Sequence, residues 1–273
     1  MTRRRWIADE TSGNAAALIG DHALHLTRVL RAEIGQEFGI ATGTSVRRGT
    51  ITSLSDQRVE FALGEAQFIV PAPDLTLALA IFKFDRMEWA IEKCTELGVT
   101  RIIPIVAHRT DSHLAAAATK RRERWQRLAL QASEQSRRAG PPEISGPASL
   151  KELAGTAGCR IVLAESETDN RLRDALASRP SALTLAIGPE GGWTDDELQW
   201  FRDSGWTAAS LGDTILRAET AAIVAIALAL DAILRSIAVH WKQADDGILA
   251  LCLVIDAAIG KELYNLVHME FVV

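Results

Sequence analysis

The sequence predicts an α/β fold, a mostly parallel sheet flanked by helices, with a smaller β domain in front of it. Three observations carry this. From residue 75 onward, short apolar runs alternate with segments of helical period, as strands alternating with helices require. Before residue 70, short extended pieces are punctuated by Gly35, Gly43, Gly49 and Gly64, which is how turn-linked strands read. Between the two lies Val70-Pro71-Ala72-Pro73-Asp74, where two prolines in three residues stiffen the chain and break strand pairing.

In the front domain, strands are expected at 36–40, 49–54 and 58–63, and one helical stretch at 22–31. Behind the linker, 75–82 is almost continuously apolar, as for a strand covered on both faces. Residues 86–97 have helical period, with Met87, Ala90, Ile91, Cys94 and Leu97 as the buried stripe and Arg86, Trp89, Lys93 and Glu96 opposite. A helix Trp more often belongs to the core than to a ligand, so Trp89 is expected there, with stacking on a base as the alternative. Gly98 ends this helix. A strand at 101–106 and a long helix at 119–138 follow, then strands at 160–164 and 183–187. Thr194 followed by Glu197 forms a capping box for a helix at 194–204. A short strand at 208–211 and a long helix at 218–235 complete the pattern. The apolar, β-branched stretch 248–255 fits no position in the sheet.

Composition narrows the function classes. With 48% hydrophobic and 24% charged residues, the chain reads as a folded globular protein, not a disordered one. Cys94, Cys159 and Cys252 share no close spacing, so neither a metal site nor a disulfide framework is expected, and the cytoplasm is the expected compartment. The start, MTRRRW, lacks the apolar core of a secretory signal. The longest apolar run, 221–230, is too short to span a bilayer and is followed by Asp231 and Arg235. The net charge of −5 hides an uneven distribution. Residues 1–73 are balanced, 74–138 carry a surplus of +4, and 139–273 carry −9. The surplus concentrates at 120–138, with seven Lys/Arg against two Glu. Read alone, this stretch is as consistent with a solvated helix face as with a nucleic-acid footprint.

Three stretches carry chemistry. In Ile187-Gly-Pro-Glu-Gly-Gly-Trp193 a buried strand runs into a glycine loop and then a helix. Glycine there permits close approach of a ligand to the backbone, and ligands of open α/β sheets sit at the carboxyl ends of strands. The loop has neither the phosphate-loop ending nor the dinucleotide spacing; a tight strand–helix turn is the plainer alternative. In Leu211-Gly-Asp-Thr-Ile-Leu-Arg-Ala-Glu-Thr-Ala221 the apolar Ile215 and Leu216 lie in the loop itself, as if lining something flat or apolar. An Arg at a helix start opposes the dipole, so Arg217 is placed for a ligand or for a surface pair with Glu219. In Gln131-Ala-Ser-Glu134-Gln135-Ser-Arg137-Arg138, positions 131, 134, 135 and 138 share one helical face, a polar surface suited to phosphates and base edges.

Together these stretches resemble the signature loops of the ribosomal RNA small subunit methyltransferase E family, within the SPOUT (trefoil-knot) methyltransferases. Glu92-Lys-Cys-Thr-Glu-Leu-Gly98 and Ser133–Arg138 are similar to that family too, and His25-Leu-Thr-Arg-Val-Leu-Arg31 with Gly35 resembles its first domain. The match covers about residues 3–236, with four motifs in the right order. The resemblance implies a PUA-like β-barrel at 1–70 that binds RNA and a knotted, dimer-forming SPOUT domain at 75–236. It implies S-adenosylmethionine as cofactor and N3 of one uridine in the decoding region of 16S ribosomal RNA as the methylated atom. Residues 237–273 extend past the point where the family ends, and 41–48 match it only loosely.

Carried onto this chain, the implied cofactor loops are Leu163 with Glu165; Gly188, Pro189, Glu190, Gly191 and Gly192; and Leu211, Gly212, Ile215 and Leu216, with Thr220 and Ala221 following. The implied RNA contacts are Arg3, Arg4, Arg5, His25, Arg28, Arg31, Arg86, Lys93, Arg109, Glu134, Gln135, Arg137 and Arg138. For the chemistry, Arg217 and then Arg138 are candidates to stabilise charge on the uracil oxygens, and Glu219 is the candidate base, a role that needs a raised pKa. Competing expectations are a SPOUT enzyme acting on a ribose 2′-hydroxyl or on transfer RNA, a non-catalytic assembly factor that binds RNA, and a nucleotide-binding enzyme unrelated to RNA.

Overall fold

A computed structural model describes residues 5–43, 45–67, 72–156, 158–178 and 180–242, of which 236–242 are described by backbone only. Arg3, Arg4, Val70, Pro71 and the stretches at 248–255 and 243–273 lie outside the described residues.

The front sheet contains β1 (Trp6–Ile7), β2 (Glu10–Ser12), β3 (Ala15–Ile19), β4 (Glu37–Ala41), β5 (Val46–Leu54) and β6 (Arg58–Gln67). Their spatial order is β1-β4-β5-β6-β3-β2. β1 runs parallel to β4 and the other neighbours are antiparallel. The two ends of this order are consecutive pieces of one segment. Ala8 N–H donates to Ala41 O (2.9 Å) and Asp9 N–H to Ala17 O (3.0 Å), so one bent strand bonds both ends and the sheet closes on itself. Closure removes the free edges that otherwise invite association. Trp6, Leu18, Ile40, Ile51, Val59 and Phe61 fill its interior.

Three of these strands are absent from the sequence reading. β1 is two residues long, β2 is wholly exposed and β3 is a run of AAALI, so none of the three shows apolar–polar alternation. The expected helix at 22–31 is α1 (Asp21–Leu24), widening into a π-helical turn over His25–Val29. Arg31 then ends it at φ 50°.

The back sheet contains β7 (Asp74–Ala80), β8 (Arg101–Ile105), β9 (Glu143–Ile144), β10 (Cys159–Leu163), β11 (Ala182–Ile187) and β12 (Thr207–Ala209), interleaved with α2 (Phe84–Glu96), α3 (Ser112–Gln135), α4 (Leu172–Ala175), α5 (Asp195–Asp203) and α6 (Ala218–Lys242). The order is β12-β10-β11-β7-β8-β9, all parallel. β7 shows why the run at 75–82 is continuously apolar. Leu75, Leu77, Leu79 and Ile81 pack with the residues of α2 and α6. Ala78 and Ala80 pack on the other side with Leu198, Phe201 and Trp206. Burying a Leu or Ile fully stabilises by about 1.5–3 kcal/mol, so both faces contribute. Phe201 meets Trp193, Trp200 and Trp206 edge-on, with centroids 5.0–5.2 Å apart.

Two expectations about the helices are corrected. Trp89 is 43% exposed, not core. Met87, Ala90, Ile91 and Cys94 fill the buried side, and Trp89 lies about 200° of helical rotation from Met87. The long helix begins at Ser112 instead of 119, because Asp111 caps it by accepting from the N–H groups of His113 (2.8 Å) and Leu114 (3.3 Å).

The front sheet rests on α3. Ile7, Ala41 and Val46 pack against Leu130, Arg5 N–H donates to Glu134 O (3.1 Å), and Ile7 N–H donates to Glu134 Oε1 (3.2 Å). No helix among the described residues is long and apolar enough to cross a membrane.

Candidate cofactor cavity

β12, β10 and β11 are adjacent in the parallel sheet, so the loops leaving their carboxyl ends must converge at one edge. They enclose a cavity of about 630 Å³, within the usual range for a small-molecule site. Its walls are 163–166, 187–193 and 210–218.

The loops are cross-braced. Trp193 Nε1–H donates to Leu163 O (3.0 Å). Arg171 pairs with Asp213 (2.6 Å), and Leu172 N–H donates to Ser210 O (2.8 Å). Glu197 Oε2 accepts from the Thr194 N–H (2.8 Å) while Oε1 accepts from the His108 N–H (2.7 Å), fixing the far end of the 188–193 loop. Glycine permits close approach here: a Cβ on Gly188 would lie 3.2 Å from the Trp193 ring, tighter than ordinary packing, and one on Gly191 3.3 Å from Arg109 Cδ. The backbone thus forms the wall itself, which suits a ligand read by main-chain groups.

All the expected cofactor residues except Thr220 line this cavity: Leu163, Glu165, Gly188, Pro189, Glu190, Gly191, Gly192, Leu211, Gly212, Ile215, Leu216 and Ala221. Thr220 is half-buried on α6, off the wall. The sequence reading missed the brace from Arg171 to Asp213 and that from Trp193 to Leu163. Their partners are 42 and 30 residues apart, and no local pattern links them.

Three arginines border the cavity. Arg217 is exposed and lines it, and the alternative, a surface pair with Glu219, is absent among the described contacts. Arg109 donates from Nη1 to Gly191 O. Arg86 Nη1 donates to Glu190 Oε1 (2.7 Å), with its Nε 3.8 Å from Glu219 Oε1. Glu219 is 5% exposed and is not part of the wall.

The polar face expected on the long helix divides. Gln131 and Gln135 are exposed. Glu134 is fully buried beneath the front sheet, with His22 Nε2 3.5 Å from its Oε1, so it serves the junction with the front domain. Arg138 is folded back onto α2, donating to Thr95 O (2.6 Å). Burial pushes its pKa down to about 10, and it lies off the cavity wall. Helical periodicity sees only one helix and cannot register what docks on it.

The expected RNA contacts are also varied in their surroundings. Arg5 bonds Arg137 O, and burial, with Arg137 nearby, lowers its pKa. His25 lies edge-on to Trp6, centroids 5.6 Å apart. Arg28 Nε donates to Asp56 (2.9 Å). Lys93 sits 2.9 Å from both Glu92 and Glu96. Arg121 and Arg124 both pair with Glu88. Arg31, Lys120, Arg127 and Arg137 are exposed.

Residues 70–230 match the model of an RNA methyltransferase domain. A ribosomal RNA small subunit methyltransferase E of Synechocystis is 34% identical over 243 residues, covering 83% of this chain and 77% of that protein. The crystal structure of a Neisseria gonorrhoeae ribosomal RNA small subunit methyltransferase E bound to S-adenosyl methionine is similar with a TM-score of 0.72 and 28% identity, over 82% of this chain and 95% of that one. A Legionella pneumophila methyltransferase in complex with the bound cofactor is similar with a TM-score of 0.73 and 26% identity, over 84% of this chain and 96% of that one.

Proposed function

Because the chain belongs to the ribosomal RNA small subunit methyltransferase E family, we propose that it transfers a methyl group from S-adenosylmethionine to N3 of one uridine in the decoding region of small-subunit ribosomal RNA. The observation that carries the reading is one cavity shared by the two loops that bear family motifs, 187–193 and 210–218, and the loop at 163–166, with the exposed Arg217 at its edge.

The cavity fits the cofactor in size and in its glycine-built walls. Gly188–Gly192 and Leu211–Leu216 would hold it, largely through main-chain groups. When bound, S-adenosylmethionine supplies a methyl group on a sulfonium sulfur, which an attacking atom must approach in line. Uracil N3 carries a proton that must leave to solvent water at the cavity mouth, and the resulting charge spreads onto O2 and O4. Arg217 meets that charge with a guanidinium of five donors. Arg138 is enclosed away from the cavity wall, so Arg217 is the side chain we assign to charge stabilisation; Glu219, the candidate base, is buried off the wall as well and is not assigned that role.

RNA binding in this reading uses the front domain and the exposed cations Arg31, Lys120 and Arg127, and phosphate contacts make its affinity fall with salt. The target base must leave its stack to reach the cavity. The reading includes a knotted path, a homodimer through the back domain and residence in the cytoplasm.

The test incubates the purified protein with methyl-labelled S-adenosylmethionine and small ribosomal subunits from cells lacking the modification, then digests the RNA. Labelled 3-methyluridine is expected. Label on a ribose, or only on transfer RNA, would replace the substrate. Cofactor binding without label on any RNA would favour an assembly factor.

A further inference from the structure

Arg86 stands in the first turn of α2, where a cation opposes the helix dipole, so the helix itself gives no reason for it. Its guanidinium lies between two carboxylates on two different elements that border the cavity: Glu190 is in its wall, and Glu219 is buried behind it, on the helix whose start, Ala218, lines it. Nη1 bonds Glu190, in the 188–193 loop, at 2.7 Å, and Nε lies 3.8 Å from Glu219, in the first turn of α6. Glu190 is well exposed, but Glu219 is almost fully buried, and its Oε2 has no hydrogen-bond partner among the described residues. A buried carboxylate is strongly penalised unless a cation accompanies it, and Arg86 is the cation within reach. Arg86 also lines the cavity directly.

We propose that Arg86 is a positioning residue for the cofactor: it straps the 188–193 loop to the start of α6 and holds two walls of the cavity at a fixed separation. With Nη1 bonded to Glu190 and Nε facing Glu219, it is assigned here to the cavity and not to the RNA contacts that the family resemblance suggested. The strap is built for a fork-shaped cation. An ammonium is a point charge that reaches one carboxylate well, whereas a guanidinium presents separate N–H groups to both. The inference rests on the cofactor reading above.

The test measures calorimetric affinity for S-adenosylmethionine in Arg86→Ala, Arg86→Lys, Glu190→Gln and the Arg86→Ala/Glu190→Gln pair, with thermal midpoints alongside. Binding of small-subunit ribosomal RNA is measured over a salt series at saturating cofactor. Arg86→Ala should weaken cofactor binding by about tenfold, the low end for a hydrogen bond to a charged group. Its Michaelis constant for cofactor should rise more than its turnover falls. Arg86→Lys should recover part of the loss. Glu190→Gln, at an exposed position, should fold normally and weaken binding in the same direction. The pair should be no worse than its weaker member, because both changes cut the same strap. Losses that add would overturn the proposal. So would an unchanged cofactor affinity in Arg86→Ala with weaker RNA binding and a shallower salt slope, which identifies a phosphate contact. A wild-type protein that binds no cofactor would overturn the cofactor reading itself, an outcome separate from either.

Discussion

Arg217 borders the cavity and is exposed, and Glu219, its alternative partner, is turned toward Arg86. A charge held ready beside a small, walled site stabilises charge that develops there, because little reorganisation is needed at the moment of reaction. Arg217→Ala should therefore lower turnover by about 10²-fold, the scale of losing one oxyanion donor, while leaving calorimetric cofactor affinity near that of the wild type. Arg217→Lys should recover part of the turnover. A loss confined to cofactor affinity would reassign the residue to binding. Burial also settles the character of Cys94: it pushes the thiol pKa far up, so alkylating reagents should spare Cys94 in the native protein and modify it only on unfolding, as mass spectrometry of alkylated peptides would show.

At the scale of elements, α5 shows how a local motif takes on a longer-range task. Thr194 and Glu197 form the reciprocal cap that their spacing predicts. Glu197 is also buried and accepts the His108 N–H from the loop after β8 (2.7 Å). Thr194→Ala should cost about 1 kcal/mol, as for an ordinary cap. Glu197→Ala should cost about 2–3 kcal/mol, because it also strands a part-buried N–H. Urea midpoints at unchanged slope would separate the two. The same contrast explains what was legible in the sequence. The strands β7, β8, β10 and β11 and the cap of α5 announce themselves through apolar runs and spacing, and the cofactor loops through glycines beside them. β1, β2 and β9 are two or three residues long; β1 and β9 are held by partners more than thirty residues away and β2 is wholly exposed, so their own composition is silent. Trp89 was misjudged from the average habits of tryptophan, although the stripe at Met87, Ala90, Ile91 and Cys94 already left it on the outer side. Glu134 and Arg138 were read as surface residues because periodicity gives a helix its faces but not the elements that cover them.

At the scale of the whole molecule, the front sheet and the back sheet meet at α3, where Glu134 is the buried polar link. It accepts the Ile7 N–H (3.2 Å), and His22 lies 3.5 Å away while also bonding Asp9 (2.9 Å). Glu134→Ala should strand that N–H and cost about 1–3 kcal/mol. The loss should fall on the junction, so a single urea transition in the wild type should separate into two, with near-ultraviolet dichroism of Trp6 and its neighbours changing first. A single transition shifted to lower urea would mean that the two sheets unfold as one unit despite the loss. The strand order carries a further consequence for how the molecule is made. β7 lies in the middle of the back sheet, with β8 on one side and β11 on the other. As the chain leaves the ribosome, β8 is available soon after β7, but β11 begins at residue 182. Until more than a hundred further residues have been translated, one long apolar edge of β7 stays unpaired. Such open edges slow folding and expose a nascent chain to aggregation, so the back sheet is at its most vulnerable during that interval, while the strands of the front barrel, complete within the first 67 residues, can pair long before.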